Sequence, residues 1–366
     1  MNFLKLGFKN LKLKKIHLTL ICLIPIQLVL LIFFKNNPLW VEKYYSSYLY
    51  PLIYKTHYFF FDRFSYPIGD LLYGIGLIFI PILIFKSLRK KFSIGLIFIN
   101  ITSIFSLVLL IFNLNWGLNY YRLPLSKKMN LDTGYEKTEL IETLHYLIQS
   151  TNLLHLKLTK DRNKIVKVSK KSDQIIEMIC KESHLFRKFK QKPFLKKSLW
   201  SNLLNYMGFA GYLNPFTLES NININIPKLN FIVTAAHEMA HQLGFASESE
   251  ANFIAFITCF KNSDHLIQYA GLIFALNYCY SNLLKLDPIN AKKYMKLLNP
   301  GILENYKEIL RFWNKYQNPF EPIIKKSYDS YLKANGQSMG IESYDGMVGL
   351  VIGYLKNNNL IEYKFD

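Results

Sequence analysis

Three stretches in the first third of the chain, residues 16–34, 67–85 and 94–112, are apolar and nearly free of charge. Each approaches the roughly 20 residues that cross a bilayer as a helix. Inside hydrocarbon a lone segment must pair every backbone N–H and C=O within itself, which leaves the helix as its one solution. Composition agrees: with 51% hydrophobic and 19% charged residues, disordered and collagen-like chains are excluded. The first stretch follows Lys5, Lys9, Lys12, Lys14 and Lys15, as a signal peptide would. No small-residue cleavage site follows it and further apolar stretches do, so it reads as a retained span. Asp70, one turn into the second stretch, reads as an interfacial carboxylate reaching for headgroup water, with no function.

Orientation follows the density of Lys and Arg in the connecting segments. Basic residues crowd the segment before the first stretch and the link Lys86, Arg89, Lys90, Lys91, whereas Lys35, Lys43, Lys55 and Arg63 are spread thinly over residues 35–66. The amino terminus and the second link are therefore expected in the cytoplasm, and the rest of the chain on the far side. Two domains follow: a membrane domain at 1–115 and an extracytoplasmic domain at 116–366.

Helical periodicity of apolar residues is expected over 138–153, 172–189, 231–243, 251–261, 265–286, 302–313 and 344–355. Strict alternation over 221–226, closed by Pro227, predicts a strand. The expected class is mainly α: three amino-terminal transmembrane helices followed by a mostly helical domain with a small β-sheet.

The segment that carries chemistry is Thr234-Ala-Ala-His237-Glu238-Met-Ala-His241-Gln-Leu-Gly244 and the Ser247-Glu248-Ser249-Glu250-Ala-Asn252 that follows. His237 and His241 are four apart, so on a helix both imidazoles leave one face and can hold one Zn²⁺ at about 2.0 to 2.1 Å. Glu238, beside the first ligand, reaches a water polarised by zinc more readily than the metal itself, which suits a general base. Gly244 stands where a helix C-cap glycine belongs. A catalytic zinc takes a third protein ligand and keeps a fourth position open. Glu248 is preferred for it and Glu250 is the alternative, because Ser247 and Glu250 have the spacing of a capping box that would occupy Glu250. Asn252 would orient a ligand histidine.

These residues resemble the gluzincin metallopeptidases, in which an HExxH helix precedes a Glu-x-x-(Ala/Ser)-Asp ligand helix; here Asn252 replaces Asp and the gap from His241 to Glu248 is short. More closely, stretches 116–124, 211–216 with Glu219, 237–253, and 331–336 with Ser343 and Tyr344 make the chain similar to a family of uncharacterised bacterial membrane proteins, catalogued as a domain of unknown function. The resemblance implies a zincin-like domain, zinc, and a place in the bacterial inner membrane, with a peptide or protein as substrate. The expected function is a membrane-anchored zinc metallohydrolase. Its rival is a non-catalytic membrane protein in which zinc only joins two helices.

Tyr344 or Tyr269 is a candidate donor to an oxyanion, and strand 221–226 a candidate edge for pairing with a substrate backbone. His17, His57, His145, His155, His184 and His265 show no ligand spacing. Among Cys180, Cys259 and Cys279 at most one disulfide is expected, Cys22 lying in an apolar run. Net charge is +20, but its basic residues are scattered and no nucleic-acid-binding motif accompanies them, so no nucleic-acid partner is expected.

Overall fold

The computed structural model describes residues 15–89, 94–182 and 193–361. The first third holds helices α1 (Lys15–Asn36), α2 (Tyr50–Phe61), α3 (Ile68–Arg89) and α4 (Ile94–Asn115). Then come α5 (Lys137–Thr159), α6 (Ser172–Glu182), strand β1 (Leu195–Lys197), α7 (Ser201–Met207), β2 (Gly211–Leu213), β3 (Ser220–Ile222) and α8 (Lys228–Gln242). The chain finishes with α9 (Glu248–Phe260), α10 (His265–Leu286), α11 (Pro288–Met295), α12 (Pro300–Lys315), α13 (Glu321–Ala334) and α14 (Met347–Asn357). The class is as expected, mostly helical with a small sheet. The end of the helix expected over 172–189 lies outside the described residues.

Among the described residues two helices, rather than the three expected, are long and apolar enough to cross a membrane. They are Lys15–Asn36 and Gly95–Asn115; the apolar part of α3, Ile68–Ile82, is shorter. α1 and α4 pack side by side, with Gln27 Nε2 donating to the carbonyl and hydroxyl of Ser106, each at 3.2 Å. Their outward faces expose Ile26, Val29 and Ile32, and Ile101, Ile104 and Phe105, the kind of contiguous apolar surface that marks an interaction site.

α3 starts inside the helical body. The Glu219 carboxylate, 0% exposed, accepts the Ile68 N–H at 3.1 Å and the Gly69 N–H at 2.6 Å, satisfying two donors that a helix start leaves unpaired. Lys196 pairs with Glu219 at 2.9 Å. Asp70 is no interfacial carboxylate: it is fully buried and accepts from Ser198 Oγ at 2.9 Å, from Leu199 N–H at 2.6 Å, and from the Tyr212 hydroxyl. It ties the first turn of α3 to β1 and β2. Replacing Asp70 with Ala strands these donors, at a cost of about 3 kcal/mol. The check is thermal unfolding of the full chain in detergent together with amide exchange: a lower Tm and faster exchange across 195–213 are expected, and wild-type behaviour in both would refute the anchoring role.

In the body, α10 packs against α5 and α9, and α9 against α8. Leu140, Leu144 and Leu147 of α5, Ala235, Ala236 and Ala240 of α8, and Ala255 and Phe256 of α9 belong to its core. Val41, Tyr45, Tyr50 and Tyr54, which precede α3, form a second cluster with Trp116, Phe194, Leu218 and Ala246. Tyr50 donates its hydroxyl to the Gln242 carbonyl at 3.0 Å. The boundary expected at residue 115 therefore does not separate this segment from the body.

β3 is the middle strand, parallel to β1 and antiparallel to β2. The alternating stretch 221–226 thus forms a strand only up to Ile222, and that strand is no edge. Both its sides are paired, so strand addition must look to β1 or β2. All four cysteines are free.

Candidate metal centre and its cavity

α8 carries His237, Glu238 and His241. Apolar residues on its other faces sink it into the core, and Gly244, at φ +81°, ends it in the left-handed turn that glycine favours. The turn brings α9 back so that Glu248, its first residue, faces the histidine pair. Glu248 Oε2 lies 3.3 Å from His237 Nε2 and 3.6 Å from His241 Nε2. One ligand atom from each residue falls within 4.8 Å of the others.

The far side of each ring fixes what the near side can do. His241 Nδ1 is 2.7 Å from the Phe245 carbonyl, which can only accept, so Nδ1 carries the proton. His237 Nδ1 is 2.8 Å from Asn252 Oδ1, and Asn252 Nδ2 is held in turn by the Tyr278 hydroxyl at 3.2 Å. Neutral imidazoles so oriented aim two Nε2 lone pairs at a carboxylate oxygen, Glu248 Oε2, that is buried and without a hydrogen bond. Three acceptors converging in a dry place repel one another unless a cation sits between them. A proton serves in part: burial alone would push His241 down, but the Glu248 carboxylate beside it raises it to about 9, and Glu248 itself lies well below the usual carboxylate range despite its burial. Two imidazoles and one carboxylate are also the donor set of a zinc site with one position open.

Glu238 is buried next to this cluster, and its Oε2 is unpartnered. Burial pushes its carboxyl above the ordinary range, against the pull of the His241 and His237 imidazoles. A Cβ on Gly211 would lie 2.8 Å from Glu238 Oε1, so glycine is what allows β2 to pass so close. Glu250 is not part of the cluster. Its Oε1 accepts the Leu125 N–H at 2.6 Å, whereas Ser247 makes no cap bond and instead contacts Ser249 Oγ at 2.9 Å. The capping box expected there is replaced by a longer-range contact that occupies the same carboxylate.

Of the two tyrosines considered, Tyr344 lines the cavity beside the cluster. Tyr269 does not; it is buried elsewhere, donating to Asn305 Oδ1 at 3.0 Å. Tyr328 escaped the sequence reading although its hydroxyl donates to Glu248 Oε1 at 2.8 Å and lies 3.5 Å from the Tyr344 hydroxyl. Burial, with Glu248 adding to it, holds both phenols well above their usual pKa, so both remain donors. No local motif marks Tyr328; only the fold brings α13 over the site.

Arg122 was missed as well. It forks onto Glu42 at 2.9 and 3.0 Å, and its other nitrogen donates to the Leu243 and Gly244 carbonyls at 3.3 and 2.8 Å. One cation thereby satisfies the C-terminal carbonyls of the histidine helix and favours its dipole.

The cluster opens on a cavity of about 710 Å³. Its walls come from α3, α7, β2 and α13, and apart from the cluster they are mainly apolar and aromatic. Pockets of this size and lining are usual for ligand sites.

Fold and site together define a helical protein with two long apolar helices and a His-His-Glu cluster, with a second glutamate beside it, at the floor of an apolar cavity. The chain matches the model described as "Protein of unknown function (DUF3810)" over residues 45–352, and it belongs to that family. No curated protein and no solved structure matches it.

Proposed function

We propose that this protein is a membrane-anchored zinc metallohydrolase, a peptidase, with His237, His241 and Glu248 holding the metal and Glu238 acting as general base. One observation carries the reading: two oriented Nε2 lone pairs and an unbonded carboxylate oxygen converge beside a second, orphaned carboxylate. Zinc bound there would supply Lewis acidity, polarising a carbonyl and making water acidic near neutral pH. The chain's own groups do the rest. Asn252 and the Phe245 carbonyl keep the imidazoles in the tautomer that binds metal. Glu238 takes the proton of the attacking water and returns it to the leaving amine. Tyr344 donates to the oxygen on which charge develops, while the Tyr328 hydroxyl holds Glu248. The cavity beside the cluster favours this reading over a metal that only staples two helices.

The exposed apolar faces of α1 and α4, and the apolar turns of α3, support insertion in a bilayer. Density of Lys and Arg in the links favours a cytoplasmic amino terminus and a site on the opposite side of a bacterial inner membrane.

Metal content of the purified full chain tests the centre. Wild type should hold one zinc, His237→Ala and Glu248→Ala should lose it, and Glu250→Ala should keep it if it folds. Loss in Glu250→Ala with retention in Glu248→Ala would exchange the two roles. A wild-type chain that stays metal-free when offered zinc ends the proposal.

A further inference from the structure

The cavity is not walled by the helical body alone. One side is α3, whose Leu72, Gly76 and Ile80, at four-residue steps, share a helix face that lines it; Leu203 and Met207 of α7 stand among its other walls. Elsewhere on α3, Ile75, Ile78 and Phe79 are more than half exposed. The same helix thus offers one face to the site and others to whatever surrounds the apolar helices. No lysine or arginine lines the cavity among the described residues, although the chain carries a net charge of +20. An anionic headgroup or an acidic peptide would find no counter-charge there.

Besides the cluster and several tyrosines, a strand edge faces the cavity. β2 pairs with β3 through Asn214 N–H to Glu219 O at 2.8 Å and Asn223 N–H to Ala210 O at 2.9 Å, with Tyr212 opposite Asn221 between them. In an antiparallel pair such residues alternate with residues that turn their N–H and C=O outward. Gly211 and Leu213 are the latter, and both line the cavity. Free backbone donors and acceptors beside an apolar trough suit an extended polypeptide: the strand edge pairs its backbone and the trough takes its side chains.

We infer that the substrate is an extended, apolar polypeptide segment of a membrane-anchored protein, entering along α3 from the bilayer and pairing with β2 so that the bond next to its membrane segment lies over Glu238. This rests on the peptidase reading and adds the substrate class and its route.

The test uses the full chain in liposomes with two peptide libraries of the same randomised sequence. One is fused to a membrane-spanning Leu/Ala segment and the other to a Gly/Ser segment of equal length. Wild type should cleave the anchored library at least about tenfold faster, with Leu, Ile and Phe enriched around the cut. Gly76→Trp puts an indole into the trough; a Cβ there meets nothing nearer than Ile80 Cδ1 at 3.8 Å. It should collapse that preference, whereas Ile78→Trp, off the cavity, should not change it. As a readout independent of turnover, anchored peptides bearing benzoylphenylalanine should crosslink to α3 in the Glu238→Gln chain. Equal cleavage of the two libraries, or crosslinks that avoid α3, overturns the inference and leaves the peptidase reading intact. Turnover of a dodecanoyl anilide sensitive to Gly76→Trp without cleavage of either library overturns the inference and the peptidase reading together, leaving a hydrolase whose occupant is an acyl chain. Zinc bound with no probe cleaved overturns both.

Discussion

Glu238→Gln should hold zinc as the wild type does and lose hydrolysis by about 10²- to 10⁴-fold, the usual worth of a positioned general base. The amide keeps the shape of the side chain and the packing against Gly211, so stability should hardly change. What it loses is the capacity to accept a proton at Oε2, the atom left unpartnered beside the histidine pair. Zinc content and kcat/KM on one fluorogenic peptide, measured on the same preparation, separate the two effects. A variant as active as wild type would remove Glu238 as the base, and a variant without zinc would make it part of the metal's support.

The largest loss of stability is expected from Arg122→Ala, on the order of 3 to 5 kcal/mol. Glu42 would lose its bidentate partner, the carbonyls at the end of α8 their donor, and Phe245 the guanidinium that stacks 4.2 Å from its ring. The pair also predicts a pH dependence. Burial works against the Glu42 carboxylate, but Arg122 and Lys128 outweigh it and hold the group at about 2, below its ordinary 4.5. A depressed carboxylate contributes stability that is complete above its unfolded pKa and lost as pH falls through the folded one. The Tm gap between wild type and Arg122→Ala should therefore be widest above about pH 5 and narrow toward pH 2. A gap that stays constant over that range would mean that Arg122 acts through packing and the helix carbonyls alone.

What the sequence made legible was local. Helix α10 runs His265–Leu286 as its periodicity predicts, and the histidine helix ends at Gly244 because φ +81° is open to glycine. The proximity of His237, Glu238 and His241 follows from helical spacing. Glu248 comes to the pair because the turn after Gly244 is short enough to reverse the chain within a few residues. What stayed hidden depends on contacts across long spans of sequence. Asp70 looked like a headgroup carboxylate because its partners Ser198, Leu199 and Tyr212 lie about 130 residues away or more. Alternation over 221–226 reports which faces are apolar but not whether a strand has one neighbour or two, so the central place of β3 was invisible. The capping box that the spacing of Ser247 and Glu250 suggests does not form; the Glu250 carboxylate accepts instead the Leu125 N–H, at the start of a short helix 125 residues earlier.

Tyr50 and Tyr54, together with the buried start of α3, mean that the body is built from chain lying between α1 and α4 as well as from chain that follows α4. A single protease cut between α1 and the rest would not free the half that holds the His-His-Glu cluster from apolar helices, since α3 and α4 would remain joined to it. A recombinant fragment starting at Gly117 would lack the aromatic floor under the histidine helix and the acid that clamps Arg122. A fragment cut free of α1 and α4 would have to keep residues 41–81, because Leu72, Gly76 and Ile80 of α3 wall the cavity. Built this way, the molecule has no easy means of releasing the part that carries the His-His-Glu cluster from its apolar helices.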